Sequence, residues 1–229
     1  MIDAKKLSNW YDFQAPLYRL WRDDYDGPLV QVVRELLGPV LPAAKPRKLL
    51  DAGCGTGMFA LGLAKRDPEL AIEALDASEG MLLVAQRQAE KLKLGSVRFT
   101  RGDVTALPQG EGAFAAVVAA GLFPNVNDMG AALREFRRVL APGGHVMLVE
   151  FDGNSMGWLL RAFFNVMIFG YRVVSSLVPR FRFAEDWSID RSTIDRARLE
   201  SELRAAGFEE RELRQSHNHL IFHYTKSSG

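Results

Sequence analysis

The stretch Lys48-Leu49-Leu50-Asp51-Ala52-Gly53-Cys54-Gly55-Thr56-Gly57 joins an apolar run that ends in an acid to a turn with glycine at every second position. A buried strand that stops at such a turn leaves backbone N–H groups without partners at the start of the next helix. Because glycine has no side chain, a ligand can touch the main chain there. The stretch therefore predicts a ligand site where the first strand of an α/β domain meets the first helix.

The spacing of the three glycines separates two classes of cofactor. The dinucleotide fingerprint is G-x-G-x-x-G, whereas Gly53, Gly55 and Gly57 are each two residues apart. This difference argues against a nicotinamide oxidoreductase. As it stands, LLDAGCGTG resembles the first motif of class I S-adenosylmethionine-dependent methyltransferases, which use the Rossmann scaffold without binding a pyrophosphate.

Two further acids follow strand-like segments. Asp76 ends the apolar segment 70–75, about 20 residues beyond the glycine turn, where nucleotide-binding folds place a carboxylate that accepts ribose hydroxyl protons. Asp76 or Ser78 could also cap the following helix, and the two interpretations are compatible. Asp103 follows the segment 96–100 and could accept the adenine amino proton, although a Gly-Asp pair there is more often only a turn.

The resemblance extends from about Lys48 to Phe151. GDVTALP, RVLAPGG and a final Glu-Phe pair occur in order, and the chain resembles methyltransferases of the ubiquinone and menaquinone biosynthesis type. This resemblance implies S-adenosyl-L-methionine as the cofactor. It implies glycines around the methionine part, Asp76 at the ribose, Asp103 with Val104 at the adenine, and Met81 packed near the base. The full set expected at the cofactor from these motifs is Asp51, Gly53, Gly55, Gly57, Asp76, Ala77, Met81, Asp103 and Val104.

Composition indicates one domain and excludes some partners. The chain has 229 residues, of which 48% are hydrophobic and 25% charged, and its net charge is +1. These values suit a single α/β unit over residues 1–229. A balanced charge gives no electrostatic footprint for nucleic acid, which disfavours an RNA or DNA substrate. The single cysteine, Cys54, cannot form an internal disulfide, and no apolar leader follows the first residues, so we expect a cytoplasmic protein.

The apolar and turn patterns predict a Rossmann-like, doubly wound α/β fold: a seven-stranded, mostly parallel sheet with a C-terminal antiparallel hairpin. Strands are expected at about 47–52, 70–75, 96–100, 114–120 and 144–150, and helices at about 57–66, 78–92 and 127–140. The chain then divides into an N-terminal helical arm (1–40), a cofactor-binding core (47–151), an apolar lid or insertion (154–183) and a C-terminal helix and hairpin (194–229).

Two segments outside the core are expected to choose the substrate, because the shared nucleotide half says nothing about the acceptor. In the arm, 10–18 resembles the Y-D-x-x-A-x-x-Y opening of these methyltransferases, which closes over the cofactor. That resemblance implies that Tyr11 and Tyr18 line the site. The alternative is that their spacing only places two aromatic rings on one helical face of the core.

The second segment, 155–182, is rich in aromatic and aliphatic residues. Arg161 and Arg172 leave only ten uncharged residues between them, whereas a spanning helix needs about 20. We therefore expect a lid or an interfacial helix, which suits a hydrophobic small-molecule substrate or peripheral contact with an anionic membrane. The same helix could instead cover the sheet or form a homodimer contact.

Histidines near the C-terminus are the candidates for catalysis. His217 and His219 could act as a general base, and with His223 they would share one face of a continuous strand. Without a carboxylate or cysteine at ligand spacing, no metal site is predicted. We therefore expect methyl transfer to a small, hydrophobic acceptor such as a quinone precursor. The alternatives are a phospholipid-headgroup N-methyltransferase or a non-catalytic cofactor-binding protein.

Overall fold

A computed structural model describes residues 11–12, 15, 24–41, 44–155, 157, 162, 166, 169 and 193–227. The strands are β1 (Lys48–Ala52), β2 (Ala71–Asp76), β3 (Val97–Arg101), β4 (Phe114–Ala120), β5 (Leu140–Phe151), β6 (Phe208–Ser216) and β7 (His219–Lys226). The helices are α1 (Pro28–Leu37), α2 (Met58–Arg66), α3 (Glu79–Leu92), α4 (Met129–Val139) and α5 (Arg196–Ala205).

The strands form one seven-stranded sheet in the order β3-β2-β1-β4-β5-β7-β6. The first five are parallel, and β7 pairs antiparallel with both β5 and β6. The predicted fold class is therefore confirmed. From β1 the successive strands β2 and β3 are added on one side of the sheet, and from β4 the next strand, β5, is added on the other side. The carboxyl ends of β1 and β4 therefore flank the switch point where α/β sheets bind ligands.

Helices cover both faces of the sheet. On one face, Leu49, Val118 and Met147 belong to a buried cluster that also contains residues of α1, α2 and α3. On the other, Val117 and Phe222 belong to a second cluster with residues of α4 and α5. Since β1 and β4 are apolar on both faces, the sequence shows continuous apolar runs there instead of alternation.

The strand β5 begins earlier than the sequence pattern predicts, at Leu140 instead of about residue 144. Leu140 pairs with Phe114, and the register then shifts so that His145 pairs with Ala116. The extra residues include Gly143, whose φ of +68° lies in the left-handed region. The Pro-Gly-Gly segment is thus an irregularity within the strand pairing and not a turn that precedes it.

Candidate functional site

The glycine turn lies at the carboxyl end of β1 and is attached to the end of β2. The backbone N–H groups of Gly53 and Cys54 both donate to the Leu75 carbonyl, at 2.7 and 3.0 Å. Gly55 has a φ of +54°, and no described atom lies within 4 Å of the position that a Cβ would occupy there. The outer side of the turn therefore leaves space for a ligand against the main chain.

Asp76 connects this turn to the start of α3. One carboxylate oxygen accepts a hydrogen bond from the Gly55 N–H at 2.8 Å, and the other accepts one from the Ser78 N–H at 2.8 Å. Ser78 is the residue that caps the helix, because its Oγ accepts from the Met81 N–H at 3.1 Å. Burial raises the pKa of Asp76, while the N–H groups of Ser78, Gly55 and Ala77 oppose this shift. Each carboxylate oxygen has a second lone pair, so a pair of vicinal hydroxyls could bind here.

Asp51 lies behind the turn and is only 1% exposed. Its Oδ2 accepts from the N–H of Ala60 at 2.9 Å, which satisfies one of the open N–H groups in the first turn of α2. Burial raises the pKa of Asp51 to about 7; the Ala60 N–H opposes the shift, and the charge of Asp76 adds to it. The carboxylate therefore joins β1 to α2 and places a group that titrates near neutral pH behind the glycines.

The loop after β3 reaches the same edge of the sheet. The Gly102 N–H donates to the Asp76 carbonyl at 3.0 Å, so this loop begins beside the end of β2. Asp103 is exposed, and its Oδ1 accepts from both the N–H and the Oγ1 of Thr105 at 2.8 Å. Its side chain thus forms the turn that the alternative interpretation predicted. Val104, the residue after Asp103, is buried in the hydrophobic core.

A buried carboxylate that the sequence analysis did not assign to the site organises the loop after β4. Glu150 is 0% exposed, and its Oε1 accepts from the N–H groups of Leu122 and Phe123 at 3.2 and 3.3 Å. Leu122 lies over the glycine turn, since a Cβ on Gly53 would come within 2.7 Å of its Cδ1. The sequence signal for Glu150 is a single acid at the end of the apolar run 146–149.

The N-terminal arm reaches the site through a residue that was also missed. Asp12 accepts hydrogen bonds from the Ser78 Oγ at 2.5 Å and from the Gly80 N–H at 2.8 Å. Tyr11, which precedes it, is partly buried at this end of the molecule. Tyr18 lies outside the described residues. The signal for Asp12 was present as the second letter of the Y-D-x-x-A motif.

The two candidate bases, His217 and His219, lie away from the glycine turn. His219 begins β7, is partly buried, and places its ring 5.7 Å from that of Phe151 in an edge-to-face arrangement. His217 is exposed in the preceding turn with a φ of +53°. The strand order places β7 three strands from β1, which is about 14 Å at about 4.8 Å per strand. Both histidines therefore lie several strand spacings away from the glycine turn.

The continuous strand that would align the three histidines does not form, because His217 lies in the turn between β6 and β7. His223 instead contacts His145, with 2.8 Å between Nε2 and Nδ1. Burial lowers the pKa of His223 to about 4, and the neighbouring His145 adds to the shift. Within the described part of the chain, no group of three or more His, Cys, Asp or Glu side chains could hold a metal ion.

Most of the apolar segment 155–182, including Arg161 and Arg172, lies outside the described residues. Ala162, Val166 and Phe169 are each helical. Val166 is 71% exposed and Phe169 is 68% exposed. Among the described helices, none has the length and apolar character needed to cross a membrane.

Comparison with known proteins identifies relatives of this chain. The family described as "Methyltransferase domain" matches residues 49–144. A demethylmenaquinone methyltransferase from Thermus thermophilus is 36% identical over 167 residues, which are 71% of this chain and 74% of that protein. The ubiquinone/menaquinone biosynthesis C-methyltransferase UbiE from Dinoroseobacter shibae is 31% identical over 201 residues, which are 86% of this chain and 80% of that protein.

Solved structures share the fold over nearly the whole chain. A SAM-dependent methyltransferase from Aquifex aeolicus superposes with a TM-score of 0.65 at 16% identity, covering 99% of this chain and 100% of that one. The [4+2]-cyclase SpnF superposes with a TM-score of 0.69 at 21% identity, covering 97% and 96%. Together with the sequence relatives, these likenesses show that the chain belongs to the class I S-adenosylmethionine-dependent methyltransferases, of the type that acts in ubiquinone and menaquinone biosynthesis.

Proposed function

We propose that this methyltransferase acts on a small, hydrophobic acceptor such as a quinone precursor. The observation that carries the proposal is the arrangement at the carboxyl edge of the sheet, where the open glycine turn and Asp76 lie beside the loop that holds Leu122. Relatives with more than two thirds of their length matched are named for quinone methylation. The apolar insertion after β5 supplies further apolar surface for such a compound.

The residues at this edge fit S-adenosyl-L-methionine. The Asp76 carboxylate is held in a fixed plane by two backbone N–H groups and can accept two ribose hydroxyls. The open side of Gly55 allows the methionine part to lie against the main chain. When bound, the cofactor supplies an electrophilic methyl group on a positively charged sulfur. In this proposal Met81, Ala77, Asp103 and Val104 surround the adenine end, Tyr11 and Tyr18 approach from the arm, and Asp51 supports the turn from behind.

For the acceptor, the chain must orient a nucleophile, exclude water and remove a proton. A quinol ring carbon becomes nucleophilic as its hydroxyl loses a proton, so a base near the acceptor is required. His219 is favoured over His217 because it is partly buried against Phe151, whereas His217 is exposed in a turn. In this proposal Leu122 and Phe151 pack against the apolar ring.

The exposed apolar side chains of Val166 and Phe169 support peripheral contact with a membrane, where long-chain quinone precursors dissolve. A cytoplasmic location is also part of the proposal, and a homodimer contact through the same side chains is the alternative to membrane contact. The same two exposed side chains favour a second candidate acceptor, a phospholipid amine, because a lipid headgroup would lie at the membrane surface that they would contact.

The test supplies the purified protein with S-adenosylmethionine that carries a deuterated methyl group. In parallel reactions, vesicles contain either reduced demethylmenaquinone or phosphatidylethanolamine as the acceptor. Mass spectrometry then follows the labelled methyl. We expect label on the quinol, and strong loss of transfer in His219→Ala but not in His217→Ala, with cofactor affinity unchanged in both. Label on the lipid amine alone would favour the second candidate. Cofactor binding without transfer to either acceptor would contradict the proposal and favour a non-catalytic binding protein.

A further inference from the structure

Among the described residues of the N-terminal arm, Asp12 contacts α3 through its carboxylate. Asp12 Oδ1 accepts from both the Ser78 hydroxyl and the Gly80 N–H. Three residues further along, Ala15 is only 1% exposed, so its side chain is also buried. The contact joins residues that are 66 and 68 positions apart in the chain.

The contact depends on a glycine in the first turn of α3. A Cβ on Gly80 would lie 2.7 Å from the Asp12 Cα and 3.0 Å from its carbonyl oxygen. These are main-chain atoms, which cannot rotate away as the end of a flexible side chain can. Intrinsic helix propensity favours alanine over glycine at a helical position, so close approach of the arm is the feature that accounts for glycine here.

A chain of hydrogen bonds leads from Asp12 to the glycine turn. The Ser78 hydroxyl donates to Asp12, while the Ser78 N–H donates to the Asp76 carboxylate. The other oxygen of Asp76 accepts from the Gly55 N–H. Ser78 is 2% exposed, so water does not compete freely for these groups. The orientation of Asp76 is therefore linked to the position of the arm through one serine.

We propose that Asp12 is a positioning residue: by holding Ser78 and the start of α3, it sets the plane of the Asp76 carboxylate for the cofactor. Asp12 acts through Ser78 and does not itself touch the reacting atoms. The inference rests on the proposed role of Asp76 at the ribose and is independent of which acceptor is methylated.

The test measures S-adenosylhomocysteine affinity by calorimetry, so no acceptor is needed. Gly80→Ala removes the room for Asp12 without changing any hydrogen-bonding side chain. Gly130→Ala is its matched control, because Gly130 is also the second residue of its helix. The atoms nearest to its added Cβ would be side-chain ends, of Arg134, Glu202 and Asp128, and not main-chain atoms. We expect Gly80→Ala to weaken binding by about tenfold and Gly130→Ala to leave it unchanged, with both melting cooperatively.

Substitutions at Asp12 provide the second arm. Asp12→Ala should lose as much S-adenosylhomocysteine affinity as Gly80→Ala. The double variant should lose little more affinity than either single variant, because both substitutions remove the same contact. Asp12→Asn keeps a side chain of the same shape, whose Oδ1 can still accept from both the Ser78 hydroxyl and the Gly80 N–H, so most of the affinity should return. The charge of Asp12 raises the pKa of Asp76. In Asp12→Asn, affinity should therefore persist to lower pH, which a purely structural contact would not produce.

The outcomes separate this inference from the ribose assignment. Wild-type affinity in a folded Gly80→Ala variant, or an Asp12→Ala variant that binds normally, would overturn the role of Asp12. Asp76→Ala is titrated alongside: if its affinity is also unchanged, the ribose assignment fails as well. If only Asp76→Ala weakens binding, the Asp12 inference fails alone.

Discussion

Asp51 shows how one residue combines a structural bond with an electrostatic cost. Its carboxylate is buried at the end of β1, bonds to the Ala60 N–H and stands near the charge of Asp76. Both burial and Asp76 raise its pKa, to about 7, from a usual value of 3.8. Between these two pH values the folded protein holds a proton that the unfolded chain releases. Asp51 therefore makes the unliganded protein less stable as pH rises through this window.

The substitution Asp51→Asn tests this account. Asparagine can still accept from Ala60 but carries no charge, so we expect the unliganded variant to melt higher than wild type at pH 8. The gain should be a few degrees, since about 1 kcal/mol corresponds to about 2–4 °C for a chain of this length. The difference should shrink as the pH is lowered towards 4. Equal melting temperatures of the unliganded wild type and Asp51→Asn at pH 8, measured by scanning calorimetry, would contradict this prediction.

The same variant should bind the cofactor less well, which provides an internal check. S-adenosylmethionine carries a positive sulfonium that S-adenosylhomocysteine lacks, so an ionised Asp51 attracts the first more than the second. We expect Asp51→Asn to lose more affinity for S-adenosylmethionine than for S-adenosylhomocysteine. The difference should be about tenfold for each unit by which binding of the sulfonium shifts the pKa of Asp51 in the wild-type protein. Comparison of the two proteins at each pH removes any titration of the ligands themselves.

At the scale of elements, two glycines of the same turn have different roles. Gly55 faces open space, whereas a Cβ on Gly57 would come within 3.1–3.2 Å of Leu61 and Ala85, which lie in α2 and α3. Both have positive φ, so alanine adds backbone strain of roughly 1–2 kcal/mol at either position. Any difference between the two variants must then come from what the new methyl group meets.

We expect Gly55→Ala to lose cofactor affinity, by about tenfold or more, while it keeps most of its stability. Gly57→Ala should lose stability first, because its methyl group enters the contact between two helices and overpacking costs about 1–3 kcal/mol. Paired thermal melts and S-adenosylhomocysteine titrations measure both effects. Similar losses of both quantities in the two variants would show that the turn does not divide its roles in this way.

At the scale of the whole molecule, the elements that a local pattern specifies were predictable. The apolar runs that become β1 and β4 and the C-terminal hairpin follow from periodicity, and the seven-stranded, mostly parallel sheet is confirmed. The early start of β5 was not predicted, because Leu140 pairs across a register shift that depends on the neighbouring strand. The left-handed conformation of His217 was missed because only a closed hairpin requires it.

The residues of the candidate site also differ in whether the sequence alone could identify them. Gly55 and Asp76 were found because a turn and a strand end have local signals, and the structure brings them within one hydrogen bond. The contact of Asp12 with Ser78 was not found, since it joins residues 66 positions apart. Glu150 was noted only as part of a motif, because its partners lie in another loop. The acceptor depends on segments outside the shared core, where no local pattern specifies it.

The central claim is that the carboxyl edge of β1 and β2 binds S-adenosylmethionine through Asp76. The measurement that tests it most directly is calorimetric titration of wild type and Asp76→Ala with S-adenosylhomocysteine, and of wild type with NADH, each after a melting curve confirms folding. We predict binding of S-adenosylhomocysteine and none of NADH, and a loss of roughly a hundredfold in Asp76→Ala, since bonds to a charged group contribute about 1.5–3 kcal/mol. A folded Asp76→Ala variant with wild-type affinity, or a wild-type protein that prefers NADH, would contradict the account.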